Sequence, residues 1–150
     1  MFQYRREQIL KANLEEVWSF ASNPANLQKI TPGYMGFEIL TKDLSDKMYA
    51  GMIISYKVSP LLGIKMKWTT EITHVEEYRY FIDIQQEGPY RFWHHQHHFK
   101  EYDNGVLMTD ILTYKPPFGF IGSIANSLII KNKLKHIFDF REKKMNEIFG

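Results

Sequence analysis

Between residues 34 and 115, apolar and polar positions alternate strand-like, and the alternation is broken at short intervals by Gly, Pro, Asn and Asp. The pattern predicts strands at about 34–41, 49–59, 65–75, 78–87, 91–102 and 106–115, after a first strand from Phe2 to Leu10. Asn13 followed by Glu16 is a helix-capping signature. Leu14, Val17, Trp18 and Ala21 then fall on one helical face. Asn23-Pro24 opens a second short helix, which Thr31-Pro32-Gly33 ends. The tail from about Phe120 to Phe149 is a long amphipathic helix.

The short connections predict an antiparallel meander, because parallel neighbours need crossovers of about a dozen residues or more. The expected fold is α+β: a curved seven-stranded antiparallel sheet around a long C-terminal helix, with two short helices between the first two strands. A lone helix covers only part of a strongly curved sheet, so a cavity is expected beneath it. Polar hairpins collect at one end of the sheet. The other end carries Leu61, Leu62, Tyr90, Phe118 and Ile121, apolar residues that are costly at exposed tips unless they cover something, and the cavity mouth is placed there. In the tail, Ile121, Ile124, Ala125 and Leu128 form one stripe. Ile130, Leu134, Ile137, Phe138, Met145, Ile148 and Phe149 form another, rotated by well over a right angle, which predicts a break between Ile129 and Asn132.

Composition narrows the function classes. The length of 150 residues fits one domain, 1–150. The absence of cysteine excludes disulfides, thiolate nucleophiles and zinc–thiolate sites. The start, MFQYRREQ, lacks a signal-like apolar stretch, and no apolar run approaches the ~20 residues of a membrane span. A cytoplasmic protein is expected. A net charge of +2 argues against a nucleic-acid partner, and Lys131, Lys133 and Lys135 read as a solvated helix face. The sequence leaves oligomeric state open.

Candidate chemistry comes from polar residues on apolar faces. A two-residue Asn104-Gly105 turn would pair Asp103 with Val106, setting Phe99 opposite Asp110, His97 opposite Leu112 and His95 opposite Tyr114. Trp93, His95, His97 and Phe99 then share the inner face with Met108, Asp110, Leu112 and Tyr114. In earlier strands the inner set is Met52, Ile54, Tyr56 and Val58, then Met66, Trp68, Thr70 and Ile72. For the strand at 78–87, periodicity favours Tyr80, Ile82 and Ile84 as buried over Phe81, Asp83 and Gln85.

Arg141 sits near the centre of the second tail stripe, where it needs a carboxylate such as Asp110 or Asp83, an anionic ligand, or a route to the rim for its head group. Of the run His94 to His98, only His95 and His97 share the inner face, ~6.6–7 Å apart, and a third metal ligand would have to come from Asp110 or another strand. A buried His/Asp hydrogen-bond network is preferred, with no metal and no cofactor. No phosphate loop, nucleophile elbow, H-E-x-x-H or dinucleotide fingerprint is present in the sequence.

The stretches ANLEEVWSFASNPANLQKITP, GPYRFWHHQHHF and MTDILTYKPPFG, with the tail IFDFREKKMNEIF, resemble the SRPBCC superfamily. This is the helix-grip group of START lipid-binding domains, birch-pollen-allergen-like proteins and polyketide cyclases. The likeness is greatest to its small bacterial ligand-binding branch. Trp93, His95, His97, Phe99, Asp110, Tyr114 and Arg141 match family-like positions. The resemblance implies a helix-grip fold and a small hydrophobic or amphipathic ligand, bound by these residues with Tyr56, Trp68 and Phe138. It also leaves room for a cyclase or dehydratase using His95 or His97 with Asp110, and for a co-chaperone-type interaction module. A binder is preferred to an enzyme.

Overall fold

The protein is described by a computed structural model covering residues 1–61, 63–117 and 129–150, the Leu61 side chain excepted. Strand β1 (Phe2–Leu10) is followed by helix α1 (Leu14–Ala21), whose Asn13 side chain accepts from the Glu16 N–H at 2.8 Å, the cap expected. The second helical segment is 3₁₀ rather than α, at Pro24–Ile30, with Asn23 accepting from the Ala25 N–H. Then come β2 (Glu38–Ile39), β3 (Met52–Leu61), β4 (Ile64–Glu76), β5 (Tyr80–Glu87), β6 (Phe92–Tyr102), β7 (Gly105–Lys115) and helix α2 (Lys131–Phe149).

The seven strands form one antiparallel sheet in the order β1-β7-β6-β5-β4-β3-β2. The strand expected at 34–41 shrinks to two residues. Gly33–Met35 winds as a 3₁₀ turn and Gly36 takes a left-handed φ of 58°, so the chain reaches the β3 edge only at Glu38. Register shifts in β3/β4 and at two points in β4/β5 mark bulges, which bend the long strands.

The last hairpin differs from expectation in a consequential way. Its turn residues are Asp103 and Asn104, both with positive φ, and Tyr102 pairs with Gly105. Gly105 is needed elsewhere: a Cβ there would stand 2.4 Å from the Leu10 carbonyl oxygen, so the glycine permits β1 to close on β7. Pairing therefore shifts by two residues. Phe99 lies opposite Met108, His97 opposite Asp110, His95 opposite Leu112 and Trp93 opposite Tyr114. A two-residue slip preserves which face each side chain occupies.

One apolar cluster gathers Met35, Val58, Trp68, Tyr90, Leu112, Leu134 and Phe138. Another gathers Leu10, Val17, Trp18, Phe81, Phe99, Val106 and Met145. Arg6 of β1 fastens α2 through Asp139 at 2.6 Å and Glu142 at 2.9 Å, and Gln8 donates to the Glu142 carbonyl. In the second tail stripe, Ile130, Leu134, Phe138 and Met145 are buried. Ile148 is exposed, near the end of the helix. Ile129 and Ile130 adopt a wider π-type turn ahead of α2. The first stripe, and thus the break relative to it, lies outside the described residues.

Candidate functional site

Strand β5 presents the face that periodicity disfavoured. Phe81 is buried and Asp83 points inward, while Tyr80, Ile82 and Ile84 are only half-covered on the outer face. Gln85 holds the β5–β6 connection, donating to the Tyr90 carbonyl at 2.6 Å and accepting from its N–H at 3.0 Å. The outer face of the sheet carries enough apolar bulk to mimic a core pattern. The inner face carries polar groups because their partners lie on neighbouring strands.

Those partners come from β6 and β7. In the ladders Asp83 faces His95, Phe81 faces His97, and His97 faces Asp110. The hydrogen bonds run along the diagonals. His97 Nε2 stands 2.6 Å from Asp83 Oδ2, and His95 Nε2 stands 2.9 Å from Asp110 Oδ1. His97 Nδ1 also approaches Asp110 Oδ1 at 3.2 Å, and His95 Nδ1 lies 3.9 Å from Asp83 Oδ2. The two imidazoles overlie one another with centroids 3.8 Å apart, and Phe81 stacks against His97 at 4.1 Å. Two carboxylates and two imidazoles thus form a closed square inside the sheet.

Proximity sets the charge states. Burial pulls the His97 imidazole down, but its contacts with Asp110 and Asp83 outweigh burial and raise it to about 9. Burial, then the neighbouring His97 charge, lowers His95 below its ordinary value. For Asp110, burial pushes upward, yet the hydrogen bonds and charges of His95 and His97 hold it well below the usual carboxylate range. Asp83 is held low in the same way against its burial, chiefly by His97, with His95 and Arg141 adding their charge. At neutral pH the square holds two carboxylates, one imidazolium and one neutral imidazole.

The square forms part of the wall of a cavity of about 160 Å³ between sheet and α2. Of the residues singled out from the sequence, Tyr56, Trp68, Trp93, His95, His97, Phe99, Asp110, Phe138 and Arg141 line it. Burial raises the Tyr56 hydroxyl despite its contact with Thr70. Arg141 enters from α2, its guanidinium 5.6 Å from the Phe138 ring centroid. Among the described residues its buried Nε, like the Trp68 Nε1, has no hydrogen-bond partner. Of the alternatives left open for Arg141, no carboxylate pairing is seen among the described residues; its charge acts on Asp83 at longer range.

Tyr114 is not part of the cavity lining. Its ring is buried between Phe2 and Tyr90. Tyr90, expected at the mouth, lines the cavity but is buried, against Trp68 and Trp93. The other mouth positions, Leu62, Phe118 and Ile121, with the Leu61 side chain, lie outside the described residues. Sequence reasoning missed the contribution of the 3₁₀ segment and of the stretch leading into β2, from which Leu27, Ile30, Met35 and Phe37 reach the cavity. Lys133, read as a solvated position, also borders it.

A family model described as "Polyketide cyclase / dehydrase and lipid transport" matches residues 10–135. Among solved structures, protein CV1439 from Chromobacterium violaceum superposes with a TM-score of 0.73 at 12% identity, covering 98% of this chain and 96% of that one. Protein Ms6760 from Mycobacterium smegmatis gives 0.70 at 16% identity, covering 97% and 89%. Protein TTHA0849 from Thermus thermophilus gives 0.67 at 16% identity, covering 99% of both chains. Likeness at this level of identity establishes the helix-grip fold alone. A search of curated protein sequences returns no match. No described helix is long and apolar enough to cross a membrane.

Proposed function

Since the chain belongs to the polyketide cyclase / dehydrase and lipid transport family, we propose that it binds a small, largely apolar molecule bearing one or two polar groups in the cavity between sheet and α2. The observation that carries this reading is the contrast within one cavity lining. Trp68, Trp93, Tyr56 and Phe138 supply aromatic surface, while His95, His97, Asp83 and Arg141 converge as the polar groups. Apolar contact contributes roughly 25 cal/mol per Å² removed from water, and the polar groups select orientation. A volume of about 160 Å³ suits a molecule built on a single ring, since a cavity of ~150 Å³ is known to accept benzene.

The test is native mass spectrometry of freshly purified protein, followed by extraction. A stoichiometric small molecule released unchanged on denaturation supports the binder. Protein that carries nothing, and whose Trp68 and Trp93 fluorescence ignores single-ring compounds such as benzyl alcohol and benzoate, overturns it.

The His–Asp square also favours a second reading, a cyclase or dehydratase in which His95 or His97 moves a proton under the control of Asp110. Turnover of a polyketide-like substrate, abolished in His95→Ala and His97→Ala with folding retained, separates this from simple binding. The cytoplasmic setting belongs to the same reading.

A further inference from the structure

The square leaves one buried ring nitrogen, His95 Nδ1, without a hydrogen bond inside it. Both imidazoles turn one nitrogen toward Asp110 Oδ1: Nε2 of His95 at 2.9 Å and Nδ1 of His97 at 3.2 Å. Both turn the other nitrogen toward Asp83 Oδ2: Nδ1 of His95 at 3.9 Å and Nε2 of His97 at 2.6 Å. A neutral imidazole has one N–H and one lone pair, so each neutral ring here aims a lone pair at a carboxylate oxygen. Three of these contacts are within hydrogen-bond reach, and the N–H groups of one imidazolium at His97 and one neutral imidazole at His95 serve them; the fourth, His95 Nδ1 to Asp83 Oδ2 at 3.9 Å, is too long for a hydrogen bond and leaves a buried ring nitrogen facing a carboxylate without a proton between them. One divalent cation beside Asp83 would fill that gap. It supplies the missing positive charge, accepts the two lone pairs, and leaves both remaining N–H groups to donate to Asp110.

We infer that Asp83 Oδ2, His95 Nδ1 and His97 Nε2 form a three-ligand site for a divalent transition-metal ion, with Asp110 orienting both histidines from behind. One ligand atom from each of Asp83, His95 and His97 already lies within 4.8 Å of the others. Tetrahedral donors about 2.0–2.2 Å from zinc are separated by roughly 3.3 Å, so a modest side-chain adjustment, widening one contact and closing another, suffices. A carboxylate that takes the second N–H of a metal-binding histidine is the usual outer partner of such sites, and here one carboxylate serves two. Two imidazoles and one carboxylate suit Zn²⁺, Fe²⁺ or Co²⁺ rather than Ca²⁺ or Mg²⁺. Three protein ligands leave a coordination position, and since all four residues line the cavity, a polar atom of a cavity ligand can reach it. The sequence left the third ligand open between Asp110 and another strand; the inward turn of Asp83 on β5, opposite His95, supplies it.

The experiment uses untagged, chelator-stripped full-length protein titrated with Zn²⁺ by calorimetry and with Co²⁺ by visible absorption. One equivalent should bind with a dissociation constant in the micromolar range or tighter. Affinity should fall at least 100-fold in His95→Ala, His97→Ala and Asp83→Asn, and about 10- to 100-fold in Asp110→Asn. It should be unchanged in His94→Ala and His98→Ala. X-ray absorption of the zinc-loaded wild-type protein, which depends on no variant folding, should give two imidazole ligands. Absence of stoichiometric binding, retention of binding without His95 and His97, or an absorption spectrum without two imidazoles overturns the site. Benzoate and benzyl alcohol binding to the stripped protein is measured separately, so failure of the metal site and failure of the cavity reading are distinguishable.

Discussion

His97 and Asp110 face each other directly across the β6–β7 ladder, and the Nδ1–Oδ1 distance of 3.2 Å makes this carboxylate a shared anchor for His97 and for His95, which reaches it diagonally. Asp110 is itself buried, so its charge has these two rings as neighbours rather than water. Asp110→Asn keeps the shape and removes the charge. Equilibrium urea unfolding should show a loss of about 3 kcal/mol, the scale for breaking a buried pair. A loss below about 1 kcal/mol would mean that the carboxylate does not organise the square.

The stability of metal-free protein should depend on pH in a defined direction. His97 is raised from 6.5 to about 9 by its carboxylate neighbours. Its contribution is therefore complete below about pH 6.5 and is lost as pH rises through about 9. His95 is lowered and acts oppositely, so stability declines as pH falls below 6.5. Asp83 and Asp110, both lowered, stabilise above about pH 4, and that contribution is lost in acid. Urea midpoints measured with chelator present should peak near pH 6.5 and fall toward pH 9.5. The alkaline fall should vanish in His97→Gln; an unchanged alkaline fall in that variant would assign it to another group.

The close approach of β1 to the last hairpin rests on the missing side chain at Gly105. In Gly105→Ala the new methyl would meet the Leu10 carbonyl oxygen at 2.4 Å, and a backbone atom cannot swing aside. Thermal unfolding should register a loss of about 2 kcal/mol. Asn104→Gly, at φ 61°, should be neutral within about 0.5 kcal/mol. Equal effects at the two positions would show that the hairpin tolerates a different register.

Arg141 lines the cavity, and its buried Nε has no hydrogen-bond partner among the described residues. Arg141→Met should change unfolding free energy by less than about 1 kcal/mol. In tryptophan fluorescence titrations it should weaken benzoate at least tenfold while leaving benzyl alcohol nearly unaffected. The opposite ranking, large destabilisation with unchanged benzoate affinity, would mark it as a structural cation.

Arg6, beside Gln8, ties the first strand to the last helix, through Asp139 and Glu142. Both carboxylates are substantially exposed, so solvent screening limits the gain. Arg6→Met should destabilise by about 1 kcal/mol, and the difference from wild type should shrink in high salt. A difference insensitive to salt would indicate that packing of the Arg6 stem, not its charge, holds the helix.

The sequence by itself determined the helix-grip architecture, because that depends on local signals. The Asn13 cap, the alternation through β3 to β7 and the amphipathic tail each answer to a few neighbouring residues. It also determined that His95, His97 and Asp110 share the inner face, since strand alternation survives a two-residue slip. Tertiary structure decided which of them meet. The last turn is Asp103-Asn104 rather than Asn104-Gly105, with Gly105 lying against the Leu10 carbonyl far away in the chain, and that register set His97 against Asp110. The inward turn of Asp83 was equally hidden, because Ile82 and Ile84 look like core residues until the sheet assigns them to its outer face. A buried carboxylate reads as a violation of hydrophobic pattern in one dimension, and its stabilising partners exist only once three strands lie side by side.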